Sequence, residues 1–259
     1  MNAFDFTGQV AIVSGGSGWL GAPMVRALVA HGAHVVAVSR HREAAELALA
    51  DVSAHVTLVS ADVTNESWPE AIAAVEAEHG RIDILVNNAH IGSGGSLRTS
   101  TPQQYLDAIN LAVVGASNGM NAALSGMKKA AQLGGSPSVI NVSSMYGLVA
   151  PDPANYATEE ARNPPQYGAA KAALIQLTRY AAAEFGEHGI RVNAIAPGPF
   201  PGTDAHRDTA FIERLGRRTM LNRVGRPEEL TSTLLYLASA ASSFTTGAVI
   251  PVDGGWTAW

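Results

Sequence analysis

A tyrosine and a lysine stand four positions apart in the chain, at Tyr167 and Lys171. On a helix, residues at i and i+4 lie on the same face, so the phenol and the ammonium would be neighbours. A nearby positive charge favours the phenolate and therefore lowers the pKa of the phenol. Such a tyrosine can exchange a proton with a hydroxyl group while a hydride moves at the carbon. A half-buried tyrosine on an ordinary surface helix would show the same spacing. The surrounding residues therefore have to show whether the pair is functional.

A pair of serines, Ser143 and Ser144, follows a short apolar run at residues 139–142 that predicts a strand. In open parallel sheets, ligands bind beyond the carboxyl ends of the strands. A serine at that position can donate a hydrogen bond to a substrate oxygen on which negative charge develops. The alternative for Ser144 is the cap of a turn or a helix.

A glycine-rich turn follows the first apolar run, at residues 10–13, and precedes a helical pattern. It consists of Ser14, Gly15, Gly16, Ser17, Gly18, Trp19, Leu20 and Gly21. Glycines allow the backbone to approach a pyrophosphate, and a helix N-terminus offers free N–H groups and the positive end of the helix dipole. An ordinary strand-to-helix turn is the alternative, but the position in the first strand-helix unit favours a dinucleotide.

Two positive side chains, Arg40 and Arg42, follow the second predicted strand, where the 2′ position of the adenosine ribose is expected. A carboxylate there would repel a 2′-phosphate, whereas a guanidinium pairs with it. The charge therefore favours NADP(H) over NAD(H), unless the arginines only cover a solvated helix start. Asp62 and Val63 end the third strand and are expected at the adenine edge, where Asp62 could also cap the next helix.

Short apolar runs alternate with longer helical patterns along the chain. Apolar strands separated by helices indicate a parallel sheet covered on both faces, and right-handed crossovers then give a doubly wound, Rossmann-type α/β fold. The strands are predicted at residues 10–13, 34–38, 56–60, 84–86, 139–142, 191–195 and 249–252. The helices are predicted at residues 21–31, 42–50, 68–79, 102–112, 115–132, 167–185 and 228–239. No linker or repeat interrupts the pattern, so residues 1–259 are expected to form a single domain of about seven strands.

The composition argues against several other classes of protein. Hydrophobic residues make up 47% and charged residues 15% of the chain, which is typical of a compact globule. The net charge of −5 argues against a nucleic-acid partner. With no cysteine and no H-x-x-x-H pair, neither a disulfide nor a metal site is expected. No run reaches the length of a membrane span and no leader pattern opens the sequence, so we expect a cytoplasmic protein without a membrane partner.

Three further motifs follow in the order of the strands. They are Asn87-Asn88-Ala89, the run Asn193-Ala194-Ile195-Ala196-Pro197-Gly198, and Val252-Asp253-Gly254-Gly255. With the features above, they make the chain resemble the classical short-chain dehydrogenases/reductases over essentially its full length. The resemblance implies that Tyr167 is the acid/base, that Lys171 holds the nicotinamide ribose and lowers the tyrosine pKa, and that Ser144 binds the substrate oxygen. It also implies that Asn110 organises a water-linked proton relay behind Lys171.

The resemblance likewise implies which residues contact the cofactor. They are Ser14, Gly15, Ser17, Gly18, Trp19, Leu20, Gly21, Arg40, Asp62, Val63, Asn88, Ala89, His90, Tyr167, Lys171, Pro197, Gly198, Phe200 and Thr203. Three of these positions depart from the family's usual pattern. Trp19 replaces a turn glycine and is expected near the pyrophosphate or the site rim, or against a neighbouring loop. His90 replaces the glycine of Asn-Asn-Ala-Gly and is expected to contact cofactor or substrate, or to lie idle at the rim. Thr203 stands one place beyond the usual threonine that reaches the nicotinamide amide.

The chain between Ser144 and Tyr167 is longer than usual, and the additional residues form an insert at 150–166. A long loop beside a site is often a lid or a selectivity element, although a surface decoration or an oligomer contact is the alternative. Tyr146, Asn155 and Tyr156 are expected to line the substrate pocket, together with Ser144 and His90. A substrate loop at residues 198–223 is expected to cover the pocket, and its arginines suit either an anionic substrate or a solvated helix face.

The sequence thus predicts an oxidoreductase that transfers a hydride between NADP(H) or NAD(H) and a secondary alcohol or ketone. A sugar, sugar acid or polyol is the candidate substrate, and a 3-oxoacyl-thioester reductase of the acyl carrier protein type is the alternative enzyme. The alternative of another class is a dinucleotide-binding sensor or scaffold without turnover, but such proteins typically lose the tyrosine or the lysine. The resemblance further implies a homo-oligomer, a tetramer or a dimer, with residues 247–259 at an interface.

Overall fold

A computed structural model describes residues 4–259, with seven parallel strands in one sheet and helices on both of its faces. The strands are β1 Val10–Ser14, β2 His34–Ser39, β3 Val56–Ser60, β4 Ile84–Asn87, β5 Ser138–Val142, β6 Arg191–Pro197 and β7 Val249–Val252. The α-helices are α1 Gly21–Ala30, α2 Arg42–Ala48, α3 Ser67–His79, α4 Pro102–Ile109, α5 Gly115–Gln132, α6 Pro165–Phe185, α7 Thr209–Arg217 and α8 Thr231–Ala238.

The strand order in the sheet is β3-β2-β1-β4-β5-β6-β7. The chain builds the sheet outward from β1 to β3, returns to the centre, and then builds outward again from β4 to β7. The strand order therefore reverses between β1 and β4, and in doubly wound folds ligands bind at this switch point, beyond the carboxyl ends of the strands. The predicted Rossmann-type fold is confirmed, including all seven strands.

The sheet separates two apolar cores, because alternate residues of a strand point to opposite faces. In β1, Val13 packs with Met24 of α1 on one face. Its neighbour Ile12 packs on the other face with Trp68 of α3 and Met127 of α5. All five side chains are fully buried. Both faces of the sheet are thus covered, and the strand ends remain as the place for a ligand.

The predicted helix bounds were wrong at several ends. The helix expected at residues 102–112 is α4 followed by a π-helical turn, Asn110–Val114. The helix expected at 228–239 starts as a 3-10 turn, Pro227–Leu230, before α8. The helix α7 was not predicted as an element of its own. Asp62 does not cap α3, which begins five residues later; its carboxylate instead accepts hydrogen bonds from the N–H and hydroxyl of Thr64, at 2.9 and 2.7 Å. Between residues 4 and 259, no helix is both long and apolar enough to cross a membrane.

A chain of buried amides fastens the strand ends to α6. The amide of Asn87 at the end of β4 donates to Asn141 of β5 at 2.8 Å, and Asn141 donates to the hydroxyl of Thr178 at 3.0 Å. Thr178 donates in turn to the carbonyl oxygen of Leu174 in α6 at 2.8 Å. These polar side chains are buried, so each bond replaces hydration that folding removes. The network fixes α6 relative to β4 and β5.

We expect the substitution Asn141→Ala to lower the free energy of unfolding by about 1–3 kcal/mol, because it leaves the buried Asn87 amide without its acceptor. Urea denaturation measures the change. Asn121→Ala, at an exposed position of α5, is the matched control and should leave the midpoint nearly unchanged. Equal midpoints for the two variants would contradict a stabilising role of the amide chain.

Candidate active site

The glycine turn closes tightly on itself between β1 and α1. Gly15 has a φ of 63°, which favours glycine. A Cβ on Gly21 would lie 2.0 Å from the carbonyl oxygen of Gly15, so no side chain fits there without moving the turn. Gly18 donates to that same Gly15 oxygen at 3.0 Å. The sequence therefore places a bare backbone turn directly before the N-terminus of α1, as a pyrophosphate site requires.

Ser14 and Asn88 hold this turn against the end of β4. The Ser14 hydroxyl accepts from the N–H groups of Asn88 and Ala89, at 3.0 and 3.1 Å. The Asn88 amide donates to the carbonyl oxygens of Ser14 and Gly15, both at 3.1 Å. Both side chains are buried. They were predicted as cofactor contacts, and the structure engages them with the turn itself, so they position the backbone that faces the cleft.

A cleft opens beyond the ends of β1, β2 and β3. Its lining includes Gly15, Ser17, Gly18, Val38, Ser39, Arg40, His41, Ala61, Asp62, Val63, Ala89, His90, Ile91 and Leu111. Most of the predicted adenosine contacts therefore do lie together. The bare glycine turn on one side and a cationic side chain on the other fit the adenosine and phosphates of a dinucleotide.

Arg40 and Arg42 differ in what they can bind. Arg42 is paired with Glu46 one helical turn away, at 2.9 Å. Arg40 is exposed and makes no ion pair within residues 4–259, although it faces the cleft. Its charge adds to the Thr64 hydrogen bonds, which are the larger cause, in holding the pKa of Asp62 below its ordinary value. Arg40 is thus the guanidinium that is available to a phosphate at the ribose.

Ser144, Tyr167 and Lys171 meet at the carboxyl end of β5. The ammonium of Lys171 lies 5.8 Å from the ring centre of Tyr167, one turn back on α6. It donates to the carbonyl oxygen of Val142 at 2.7 Å. The Ser144 hydroxyl lies close enough to the Tyr167 phenol to affect its pKa. The three predicted residues are therefore brought together, with Ser144 also accepting from the N–H of Tyr146 at 3.1 Å, as a turn cap.

Burial, rather than the neighbouring charge, governs the two titrating groups. It raises the pKa of the Tyr167 phenol, while the hydrogen bond from Ser144 acts in the opposite direction. The expectation of a lowered tyrosine pKa was wrong for the folded chain, because removing the phenolate from water is the larger effect. The ammonium of Lys171 is buried as well, and its pKa is lowered to about 8.

Asn110 occupies the first position of the π-helical turn between α4 and α5. Its amide donates to the carbonyl oxygen of Thr64, at 3.5 Å. A π-helical turn frequently marks a functional site, because its backbone bonds are rearranged. Asn110 lines a cavity of about 370 Å³ together with Thr64, His90, Gln104, Asp107, Gln166, Tyr167 and Lys171. The predicted relay residue thus shares a cavity with Tyr167 and Lys171.

His90 lies with its ring centre 4.9 Å from that of Tyr167. Enclosure in the cleft, followed by the positive charge of Lys171, lowers the pKa of His90 below its ordinary value. The ring is therefore neutral at pH 7, although solvent reaches it through the cleft. It lines both the dinucleotide cleft and the cavity of Asn110. The contact of His90 with cofactor or substrate stays a prediction.

The substrate loop at residues 198–223 faces the glycine turn. Thr203 lines a groove with Ser17, Gly18 and Trp19. Trp19 is exposed, and its ring centre lies 6.5 Å from that of His206 in the loop, so the alternative of packing on a neighbouring loop describes it best. The remaining predicted contacts of this region have packing roles. Leu20 and Phe200 border the core, Pro197 ends β6, and Gly198 lies against Asp253.

The insert at 150–166 brings Tyr156 to Tyr146, with their hydroxyl oxygens 2.9 Å apart. Tyr146 shares a small apolar cluster with Tyr167, Phe211 and Trp256. Asn155 is buried, with its carbonyl oxygen accepting from Arg214 at 3.0 Å, so it faces the substrate loop. The sequence reasoning missed Phe211 and Trp256 as neighbours of the site. The apolar spacing of Phe211 and Leu215 in α7 was the available signal, because i and i+4 share a helix face.

A family model described as "Enoyl-(Acyl carrier protein) reductase" matches residues 18–257 of the chain. The trans-4-hydroxycyclohexanecarboxylate dehydrogenase of Sinomonas cyclohexanicum is 35% identical over 260 residues, which cover 96% of this chain and 93% of that protein. The galactitol 2-dehydrogenase of Rhizobium johnstonii is 35% identical over 270 residues, covering 99% and 98%. The solved structure of the Pseudomonas aeruginosa RhlG/NADP active-site complex has a TM-score of 0.89 and 30% identity, covering 99% of both chains.

These matches confirm the fold and the reaction class that the sequence predicts. The chain belongs to the short-chain dehydrogenase/reductase family. It is an oxidoreductase that acts on CH–OH groups, and its family binds a nicotinamide dinucleotide.

The buried ammonium of Lys171 makes the stability of the fold depend on pH. Its pKa is about 8 in the folded chain and 10.5 as an ordinary lysine, so between these values the unfolded chain binds more protons. The free energy of unfolding therefore rises with pH in this window, by up to about 3 kcal/mol. In Lys171→Met this rise is absent, so the difference in stability between wild type and variant should change from pH 7 to pH 10 in favour of the wild type.

Denaturant unfolding at several pH values measures this difference. Lys129→Met, which removes a half-exposed lysine paired with Glu76, is the control and should follow the wild type across the window. A constant difference between Lys171→Met and wild type would show that Lys171 keeps an ordinary pKa.

Proposed function

We propose that this chain interconverts a ketone and a secondary alcohol with NADP(H) as the preferred dinucleotide, and that Ser144, Tyr167 and Lys171 carry out the proton chemistry. The observation that supports this most directly is the meeting of these three side chains beside a cleft lined by the glycine turn and Arg40. Residues 4–259 thus combine a dinucleotide cleft with a proton donor at its inner end.

The nicotinamide, when bound, supplies or accepts the hydride. In reduction, the phenol of Tyr167 gives its proton to the carbonyl oxygen, since its raised pKa keeps it protonated at neutral pH. In oxidation, the phenolate takes the proton of the alcohol. The hydroxyl of Ser144 donates to the same oxygen and stabilises the charge that develops there. The ammonium of Lys171 stabilises the phenolate and holds the ribose hydroxyls.

The cavity of Asn110 provides the route by which the proton of Tyr167 is exchanged with solvent. Lys171 lines its inner part, and Thr64, Gln104 and Asp107 line other parts of its wall. A water held by Asn110 would connect the ammonium to this polar wall, as the family resemblance implies. His90 stays neutral beside Tyr167, so it contacts the bound groups without adding a charge.

The substrate is proposed to be a polyol, a sugar or a related hydroxy acid. Galactitol 2-dehydrogenase, one relative, acts on a polyol according to its name. A 3-oxoacyl-thioester reductase of the acyl carrier protein type is the second candidate, because a Pseudomonas aeruginosa relative that is 33% identical bears the name rhamnolipids biosynthesis 3-oxoacyl-[acyl-carrier-protein] reductase. A sensor without turnover is disfavoured, because both Tyr167 and Lys171 are present and in contact.

Three further features belong to this proposal. Residues 1–259 act as one dinucleotide-binding and catalytic domain, the substrate loop at 198–223 covers the site, and the insert at 150–166 closes its side. The exposed apolar residues of the helices and the C-terminus, such as Leu106, Val114 and Trp259, form contacts in a homo-oligomer, either a tetramer or a dimer. The protein works in the cytoplasm, without a membrane, a nucleic acid or a metal as partner.

We expect Tyr167→Phe to lower kcat by a factor of about 10²–10⁴, because the substrate oxygen loses its proton donor. The affinity for NADPH, measured by fluorescence titration, should change little, since the ring remains in place. Tyr180→Phe, which removes an exposed hydroxyl from the same helix, is the control and should keep the wild-type rate. If Tyr167→Phe keeps that rate too, another group is the acid/base.

We expect Arg40→Asp to shift the ratio of kcat/KM for NADPH over NADH towards NADH by at least about tenfold, because a carboxylate repels the 2′-phosphate and accepts from a 2′-hydroxyl. Arg42→Asp makes the same change of charge two residues away and should shift the ratio much less, since Arg42 is engaged with Glu46. Equal shifts would mean that the net charge near the cleft, rather than a contact of Arg40, decides the preference.

A further inference from the structure

The insert is fixed to both walls of the site. Towards the substrate loop, Asp152 pairs with Arg218 at 3.7 Å, and Arg214 donates to the carbonyl oxygen of Asn155 at 3.0 Å. Towards the loop that follows β4, Glu159 pairs with Arg98 at 2.7 Å. The N–H of Gly95 also donates to the carbonyl oxygen of Arg162, at 3.1 Å. With attachments on both sides, the insert presents its side chains in a defined position.

The side chain that the insert directs towards the reacting centre is Tyr156. Its hydroxyl meets that of Tyr146, and the N–H of Tyr146 donates to the Ser144 hydroxyl at 3.1 Å. Tyr146 packs with Tyr167 in one apolar cluster, and Tyr156 lies close enough to contribute to the raised pKa of the Tyr167 phenol. Three phenols, one of them from the insert, therefore converge beside Ser144. Tyr146 and Tyr156, the phenol pair, have no part in the proton chemistry proposed above.

The phenol pair has hydrogen-bonding capacity left for a ligand. Each phenol has one O–H donor and acceptor lone pairs. One O–H is used between Tyr146 and Tyr156. One O–H and further lone pairs remain. Burial raises the pKa of both phenols, so the pair stays neutral. A neutral site with one donor and spare acceptors matches a hydroxyl group, which is itself both donor and acceptor.

The charges around the pair favour a neutral ligand as well. Arg218 lies over the ring of Trp256, which contacts Tyr146, and is paired with Asp152. Arg214 is engaged with Asn155 and lies 3.9 Å from Asp208. Both of these loop arginines therefore have an anion of their own, so a substrate carboxylate would have to compete for them. The third cation of the cleft, Arg162, lies near enough to Glu159 to help lower the pKa of that carboxyl. The pair also lines a cleft of about 530 Å³ beneath the insert.

We propose that Tyr146 and Tyr156 bind a second hydroxyl of the substrate, on the carbon next to the reacting one, and so make a vicinal diol the preferred class of alcohol. The reaction is then the two-electron oxidation of one carbinol carbon. Its hydride goes to the oxidised nicotinamide and its hydroxyl proton to Tyr167, and the product is an α-hydroxyketone. This rests on the proposed dehydrogenase function, and it names the substrate class for the same site.

Matched pairs of alcohols test the proposal: butane-2,3-diol with butan-2-ol, and cyclohexane-1,2-diol with cyclohexanol. In the wild type, kcat/KM should be at least about tenfold higher for the diol, because a buried polar site rejects an analogue that leaves it unpaired. Tyr156→Phe and Tyr146→Phe should each remove most of this preference, lowering kcat/KM much more for the diol than for the mono-alcohol. The double variant should lose no more than either single one, since the two hydroxyls act as a unit.

The control is Tyr105→Phe, a tyrosine of α4 outside the cleft lining, which should keep the wild-type ratio. A purely structural pair would lower the melting temperature, or the rates for both members of a matched pair, without changing their ratio. An unchanged ratio in Tyr156→Phe, or a wild type with no preference for diols, overturns the phenol-pair proposal alone. Absence of turnover with every alcohol and ketone tested overturns the proposed function itself.

Discussion

The buried ammonium of Lys171 is the constraint on which the rest of the site depends. An ammonium is strongly hydrated, and removing it from water is unfavourable unless hydrogen bonds replace the lost hydration. Within residues 4–259, the only hydrogen-bond acceptor recorded for it is the carbonyl oxygen of Val142, the last residue of β5. Its backbone is held too, because the Ser143 hydroxyl donates to the Lys171 carbonyl oxygen at 2.9 Å. The strand end and α6 must therefore stay in register for the cation to be tolerated.

This constraint also explains why α6 is fastened so thoroughly. The amide chain from Asn87 through Asn141 to Thr178 joins the same helix to the same strand ends. A Cβ on Gly147 would lie only 2.9–3.0 Å from the backbone of Lys171 and Ala172, so the chain after Ser144 passes directly against α6. These contacts keep Tyr167 and Lys171 at a fixed distance from Ser144. The chemistry of the site thus depends on how α6 packs against the strand ends and the chain after Ser144.

The sequence predicts what local patterns determine. The seven strands follow from apolar runs, and the meeting of Ser144 with Tyr167 and Lys171 follows from strand ends and helical spacing. The tyrosine pKa could not be derived in this way, because burial raises it and burial appears only in the folded chain. The π-helical turn at Asn110 was also missed, since it has no distinct composition.

The phenol pair shows why contacts of the insert lie beyond sequence reasoning. Tyr146 and Tyr156 were expected at the substrate pocket, but nothing in their spacing indicates that their hydroxyls meet. That contact requires the insert to be held by Glu159 on one side and by Asp152 on the other, through arginines 61 and 66 positions away in the chain. The same contacts change how the arginines of the substrate loop are interpreted. Read from the sequence, its arginines suit either an anionic substrate or a solvated helix face, whereas in the folded chain two of them, Arg214 and Arg218, contact the insert.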